Sequence, residues 1–223
     1  MNEKIVEFIK QFNPLSAFLY GSRATGEATE HSDWEVGLIF NDDQYVSRKD
    51  IKAKQDFTGV SIYPFRLSEI KNYTLDTPFP KKLFVYGLIK SAKTIFVDDI
   101  ISGIELPVIE KTDLVGAIRF EIGVAFCSFL TLRRKDNKLA FDEFSKSCLH
   151  GLKIFIMVKR QEFLSNYAEI YEASKKLDLP EEYLETIEAA YAFKKDGSLV
   201  DENYIYKNMS FLNYVEAEVL GEE

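Results

Sequence analysis

A glycine and a serine stand side by side at the end of a short apolar run, Ser16-Ala17-Phe18-Leu19-Tyr20-Gly21-Ser22. Nine residues intervene, and then Ser32-Asp33-Trp34-Glu35 opens a second apolar run that reaches Phe40. On a strand, alternate side chains share a face, so Asp33 and Glu35 are expected to point the same way. Gly21 has no Cβ and lets the backbone come close to a ligand. Ser22 offers a hydroxyl and a backbone N–H to phosphate oxygens, and Arg23 either adds a phosphate contact or merely caps the following turn or faces solvent. Two carboxylates one residue apart are a donor set for Mg²⁺ when phosphates complete the shell. Taken alone, Asp33 and Glu35 would read as solvent-facing residues of a half-exposed strand; the Gly-Ser turn makes them a candidate nucleotide site.

The surrounding sequence has to place these groups. Ile5, Phe8, Ile9 and Phe12 recur at helical spacing, which predicts an amphipathic helix over residues 3–12, stopped by Asn13-Pro14. Strands are predicted over 15–20, 34–40, 59–65 and 94–97. Helices are predicted over 47–56, 67–73 and 83–91, with a loop at Thr77-Pro78-Phe79-Pro80. Beyond Pro107 the strand signal fades. Long helical periodicity takes over at 113–134, 141–163, 166–177, from Pro180 to about Gly197, and at 201–220. The predicted architecture is α+β: a small mixed sheet over residues 1–106, then an antiparallel α-helical bundle over 107–223. Trp34 falls on the strand face opposite the carboxylates and reads as core. Thr25 and Gly26 read as turn residues, and His31 as an exposed loop histidine.

Composition narrows the function. The chain has 223 residues, 46% of them hydrophobic, enough for a substantial core. The longest apolar stretch, 114–132, is broken by Arg119 and Glu121, and the N-terminus does not read as a signal peptide. These features predict no membrane span and a cytoplasmic location. The two cysteines, Cys127 and Cys148, read as buried free thiols. Net charge is −8, unevenly spread. Residues 1–105 carry 13 basic and 15 acidic side chains, and residues 106–223 carry 15 and 21. Such a surface disfavours nucleic acid as a partner and favours a small or cationic acceptor.

The Gly21-Ser22 pair, the ten-residue gap and the strand-borne Asp33 and Glu35 resemble the motif of the nucleotidyltransferase superfamily, the DNA polymerase β-like or minimal nucleotidyltransferase group. The resemblance covers roughly residues 1–105. The helical half is similar in architecture to that of two-domain antibiotic nucleotidyltransferases and would serve as a substrate or partner domain. The resemblance implies transfer of a nucleotide monophosphate from an NTP, ATP by preference, to a hydroxyl of a small molecule such as an aminoglycoside-like antibiotic. It implies Gly21, Ser22 and Arg23 on the nucleotide, Mg²⁺ on Asp33 and Glu35, and it admits a homodimer.

One part of the pattern is missing. Such enzymes carry a third carboxylate on a later strand, whereas residues 59–64 read Gly-Val-Ser-Ile-Tyr-Pro, with Ser61 or Tyr63 at the expected place and Asp56 ahead of the strand. By the same resemblance a glutamate of the helical half can act as base. Glu121 is the candidate, since it interrupts an apolar stretch where a carboxylate needs either a neighbouring partner or a chemical role. The gap leaves open a degenerate protein that binds nucleotide or ligand without turnover. A protein AMP-transferase of the antitoxin type is the third alternative.

Overall fold

The computed structural model describes residues 3–28, 32–198 and 201–221. The chain divides into two compact units, Met1–Val108 and Ile109–Glu223.

The first unit runs α1 (Glu3–Lys10), β1 (Ser16–Tyr20), α2 (Ser22–Thr25), β2 (Trp34–Phe40), α3 (Arg48–Lys54), β3 (Val60–Arg66), α4 (Leu67–Lys71), α5 (Lys81–Ser91) and β4 (Lys93–Val97). The sheet order is β3-β2-β1-β4. β1 pairs antiparallel with both β2 and β4, while β2 and β3 run parallel. A parallel pair needs a crossover, and α3 lies within it. Ser47 caps α3 by accepting the Asp50 N–H at 3.2 Å. Every residue of β1 is buried, because both faces of the sheet are covered. On one face Ala17, Val36, Leu38, Phe40 and Ile62 pack with Ile5, Phe8 and Ile9 of α1 and Ile51 of α3. On the other, Phe18, Tyr20, Ile39 and Phe65 pack with Ile70, Val85 and Leu88. Alternate residues of each apolar run thus enter one core or the other. Gly37 interrupts that pattern. A Cβ there would lie 2.1 Å from the Phe18 ring, so the glycine makes room for the aromatic on the neighbouring strand.

The second unit contains α6 (Lys111–Arg133), α7 (Asn137–Arg160), α8 (Tyr167–Ser174), α9 (Glu181–Asp196) and α10 (Asn203–Leu220). α7 is the central helix and packs on the other four. α10 comes close to it at Gly151, where a Cβ would meet Leu212 Cδ2 at 2.2 Å, so a larger residue needs Leu212 to shift. α7 starts under an Asp136 cap that accepts the Leu139 N–H. It stops at Arg160 rather than at Phe163, because Gln161 turns left-handed at φ 53° and its N–H closes on the Met157 carbonyl. By length and composition α6 could cross a membrane; here it packs against α7 and α10.

Two side-chain expectations change. Cys148 is buried as predicted, but Cys127 is exposed, on an α6 face that also presents Phe126 and Leu130 to solvent. The helix is apolar nearly all round, so periodicity did not say which face is covered. Trp34 is only half-buried and belongs to neither core cluster; its ring lies under the Arg23 guanidinium, 4.4 Å away.

Candidate active site

β1 ends at Tyr20, and Gly21 turns the chain with φ 69° and ψ −158°. The residues after it form a single helical turn, α2, where the sequence predicts a plain turn. The Ala24 and Thr25 N–H groups donate to the Gly21 carbonyl at 3.0 and 3.1 Å, and the Glu27 N–H to the Ser22 carbonyl at 2.8 Å. Gly26 closes the turn in the left-handed region. Gly21 is required twice over. Its φ disfavours any side chain, and a Cβ would sit 1.9 Å from Glu35 Oε2. The turn and the carboxylate of the next strand are therefore in van der Waals contact.

Glu35 lies opposite Tyr20 on β1 and opposite Ser61 on β3. Asp33 immediately precedes β2, and the Trp34 N–H donates to the Gly59 carbonyl at 2.8 Å, fixing the strand's first residue. Asp33 is exposed and Glu35 half-buried. Burial, and after it the negative charge of Glu35, push the Tyr20 phenol far up, so it stays a neutral O–H beside the carboxylate. Arg48 works against that shift, with its guanidinium 4.0 Å over the Tyr63 ring. Neither Tyr20 nor Arg48 was singled out from the sequence. The strand parity that pairs Tyr20 with Glu35 was available; the position of Arg48 follows from the crossover and was not.

Arg23 has an assignment the sequence did not suggest. Its Nε and Nη2 donate to the Ser32 carbonyl at 3.1 and 2.5 Å while its plane covers Trp34. This straps the Gly-Ser turn to the residues just ahead of Asp33. His31 lies outside the described residues.

On the third strand, Ser61 faces Glu35 and Tyr63 faces Gly37, so no carboxylate stands at either place. Asp56 is turned to α1, where Lys4 Nζ meets it at 3.1 Å. Among the described residues no cluster of three or more histidine, cysteine or acidic side chains could hold a metal ion. What remains is Glu35 against a cradle that a Cβ would fill, with Asp33 just ahead of the same strand. That set suits Mg²⁺, which takes one or two carboxylates and completes its octahedron with water and substrate phosphates.

In the second unit Glu121 is 7% exposed on α6. His150 Nδ1 on α7 lies 3.3 Å from Glu121 Oε1, and the Tyr167 hydroxyl on α8 lies 3.1 Å from His150 Nε2. Nearby Arg119 pairs with Glu216 at 2.6 Å instead. Neither His150 nor Tyr167 stood out in the sequence, where the three residues are far apart.

Residues 3–100 match the family described as Polymerase beta, Nucleotidyltransferase. No curated protein matches the chain by sequence. Among solved structures, spectinomycin adenyltransferase AAD(9) from Enterococcus faecialis, crystallised with ATP and spectinomycin, is similar over 99% of this chain and 100% of its own. The TM-score is 0.61 and the identity 12%. With its sheet order, its Gly21-Ser22 turn against Glu35 and the helical unit that follows, the chain has a nucleotidyltransferase fold resembling the antibiotic nucleotidyltransferases.

Proposed function

We propose that the protein is a Mg²⁺-dependent nucleotidyltransferase that moves AMP from ATP to a hydroxyl of a small, antibiotic-like molecule. The observation that carries this reading is the contact between the left-handed Gly21 and Glu35 Oε2. A turn able to admit phosphates directly beside a carboxylate is what metal-assisted phosphoryl chemistry needs. The solved relative, which was crystallised with ATP and spectinomycin, supports ATP as the donor and an aminocyclitol or aminoglycoside as the acceptor class.

In this reading residues 1–106 bind the nucleotide and residues 107–223 serve the acceptor. Gly21 lets the backbone approach the triphosphate, and Ser22 donates its hydroxyl and N–H to phosphate oxygens. Arg23 holds the turn and Ser32 together so that Asp33 and Glu35 keep their places. Asp33 and Glu35 would hold Mg²⁺, which when bound neutralises phosphate charge and makes the acceptor hydroxyl more acidic. Tyr20 keeps a neutral O–H next to Glu35 and adds no competing charge. Glu121 takes the proton of the acceptor hydroxyl as its oxygen bonds the α-phosphorus, the bond to the bridging oxygen breaks and pyrophosphate leaves. The cytoplasm, where ATP is supplied, is the proposed location.

A second reading has one observation in its favour, the serine that faces Glu35 where a third carboxylate would stand. The protein would then bind nucleotide without turnover. Pyrophosphate release, with ATP, Mg²⁺ and a panel of aminocyclitols and aminoglycosides, separates the two. Release by the wild type and its loss in Asp33→Asn/Glu35→Gln support transfer. Metal-dependent ATP binding with no release from any acceptor would favour the binding protein.

A further inference from the structure

We propose that His150 is a positioning residue for Glu121, and that Tyr167 fixes the tautomer in which it does so. The inference rests on the nucleotidyl-transfer reading above and adds the device that aims its base. Three residues from three helices form one chain of contacts: Glu121 Oε1 to His150 Nδ1 at 3.3 Å, and His150 Nε2 to the Tyr167 hydroxyl at 3.1 Å. The Glu121 side chain is 9% exposed and that of His150 is 43% exposed, so the carboxylate is covered and the imidazole opens to the surface.

An ionised carboxylate only accepts hydrogen bonds, so the ring nitrogen that faces Glu121 must carry a proton. In a neutral imidazole Nε2 is then an acceptor, and the group facing it is a phenol that can donate. Tyr167 therefore selects the Nδ1–H form, and that form holds one oxygen of Glu121. In this proposal the other oxygen accepts from a substrate hydroxyl. A fourth helix brings a charged group nearby: Lys194 of α9 lies 5.7 Å over the Tyr167 ring and is itself paired with Asp142 of α7. A buried carboxylate with no such holder would be free to turn among rotamers, and misplacing a reacting group by about 1 Å can cost on the order of 100-fold in rate.

The chain has only two histidines, His31 and His150, so ring ¹⁵N signals can be assigned with a His31→Gln variant. In the intact protein His150 is expected to show the Nδ1–H tautomer, and Tyr167→Phe to shift it toward the Nε2–H form. In the transfer assay His150→Ala is expected to lower kcat roughly 10–100-fold with the KM for ATP unchanged. His150→Asn, whose amide can stand in for Nδ1–H, should recover part of that loss. A wild type whose His150 is in the Nε2–H form overturns the proposal. So does a His150→Ala variant that is folded by thermal unfolding and turns over like the wild type. A different pattern marks failure of the underlying reading: a wild type that neither binds ATP nor releases pyrophosphate, which sinks nucleotidyl transfer and this role with it.

Discussion

Gly21 decides the candidate site at the level of single residues. Replacing it with alanine would set a Cβ against Glu35 Oε2 at 1.9 Å in a backbone region that side chains avoid. Gly21→Ala is expected to destabilise the chain by roughly 1–2 kcal/mol from backbone strain alone. It should also abolish metal-dependent ATP binding, as read by calorimetry beside a urea unfolding curve. Unchanged ATP affinity in the variant would mean that the phosphates do not approach this turn. The Gly-Ser turn and its neighbour Glu35 were legible because both lie on a local strand-turn-strand unit, whereas Asp33, expected on the strand, falls one residue ahead of it. Arg23 was only half legible: its charge was visible, but its binding to the Ser32 carbonyl depends on how the intervening residues return. Glu121 announced itself as an acid in an apolar stretch, whereas His150 and Tyr167 did not, since their meaning comes only from packing across three helices.

Elements were legible where apolar residues recur at helical spacing, as in α1, or run on unbroken, as in β2, and less so at their ends. α7 ends where Gln161 adopts a left-handed conformation, a choice that glycine usually advertises and glutamine does not. Close packing between helices was likewise hidden. Gly151 reads as a mild helix weakener, yet it is the point where α7 meets Leu212 of α10. Gly151→Ala is therefore expected to destabilise by about 1–3 kcal/mol despite alanine's better helix propensity, because overpacking outweighs a propensity gain of about 1 kcal/mol. Urea denaturation gives the sign directly; a stabilised variant would show that Leu212 can move aside. Asp142 links α7 to α9, with Lys146 Nζ at 2.6 Å and Lys194 Nζ at 3.2 Å. Partial burial pushes its carboxyl up, but the two ammonium groups prevail and hold it below the ordinary carboxylate range. Its contribution is thus complete above that range and disappears as pH falls through the lowered value. Asp142→Asn should cost roughly 1 kcal/mol at neutral pH, the scale of a partly exposed ion pair. The difference from wild type should vanish in acid, which parallel unfolding curves at two pH values would reveal.

Charge belongs to the whole molecule. The net charge is −8, with the excess of acids concentrated beyond residue 105. A field of that sign repels polyanions and attracts cations, and its range is set by salt. Between about 0.1 M and about 1 M salt the screening length falls from about 10 Å to about 3 Å. ATP with Mg²⁺ is also charged, so a salt effect on turnover alone would say little. Comparing two acceptors at the same saturating ATP removes that ambiguity. If the acidic helical unit serves the acceptor, the KM of a polyamine-bearing aminoglycoside should rise several-fold over this range, while that of a neutral polyol acceptor stays level. The kcat of both should hold, because screening weakens encounter and binding rather than the bond-making step. Equal salt dependence for the two acceptors would detach the acidic surface from substrate choice and leave it as a means of solubility alone. A charged acceptor that loses kcat but not KM would place the electrostatic effect at the reacting groups themselves.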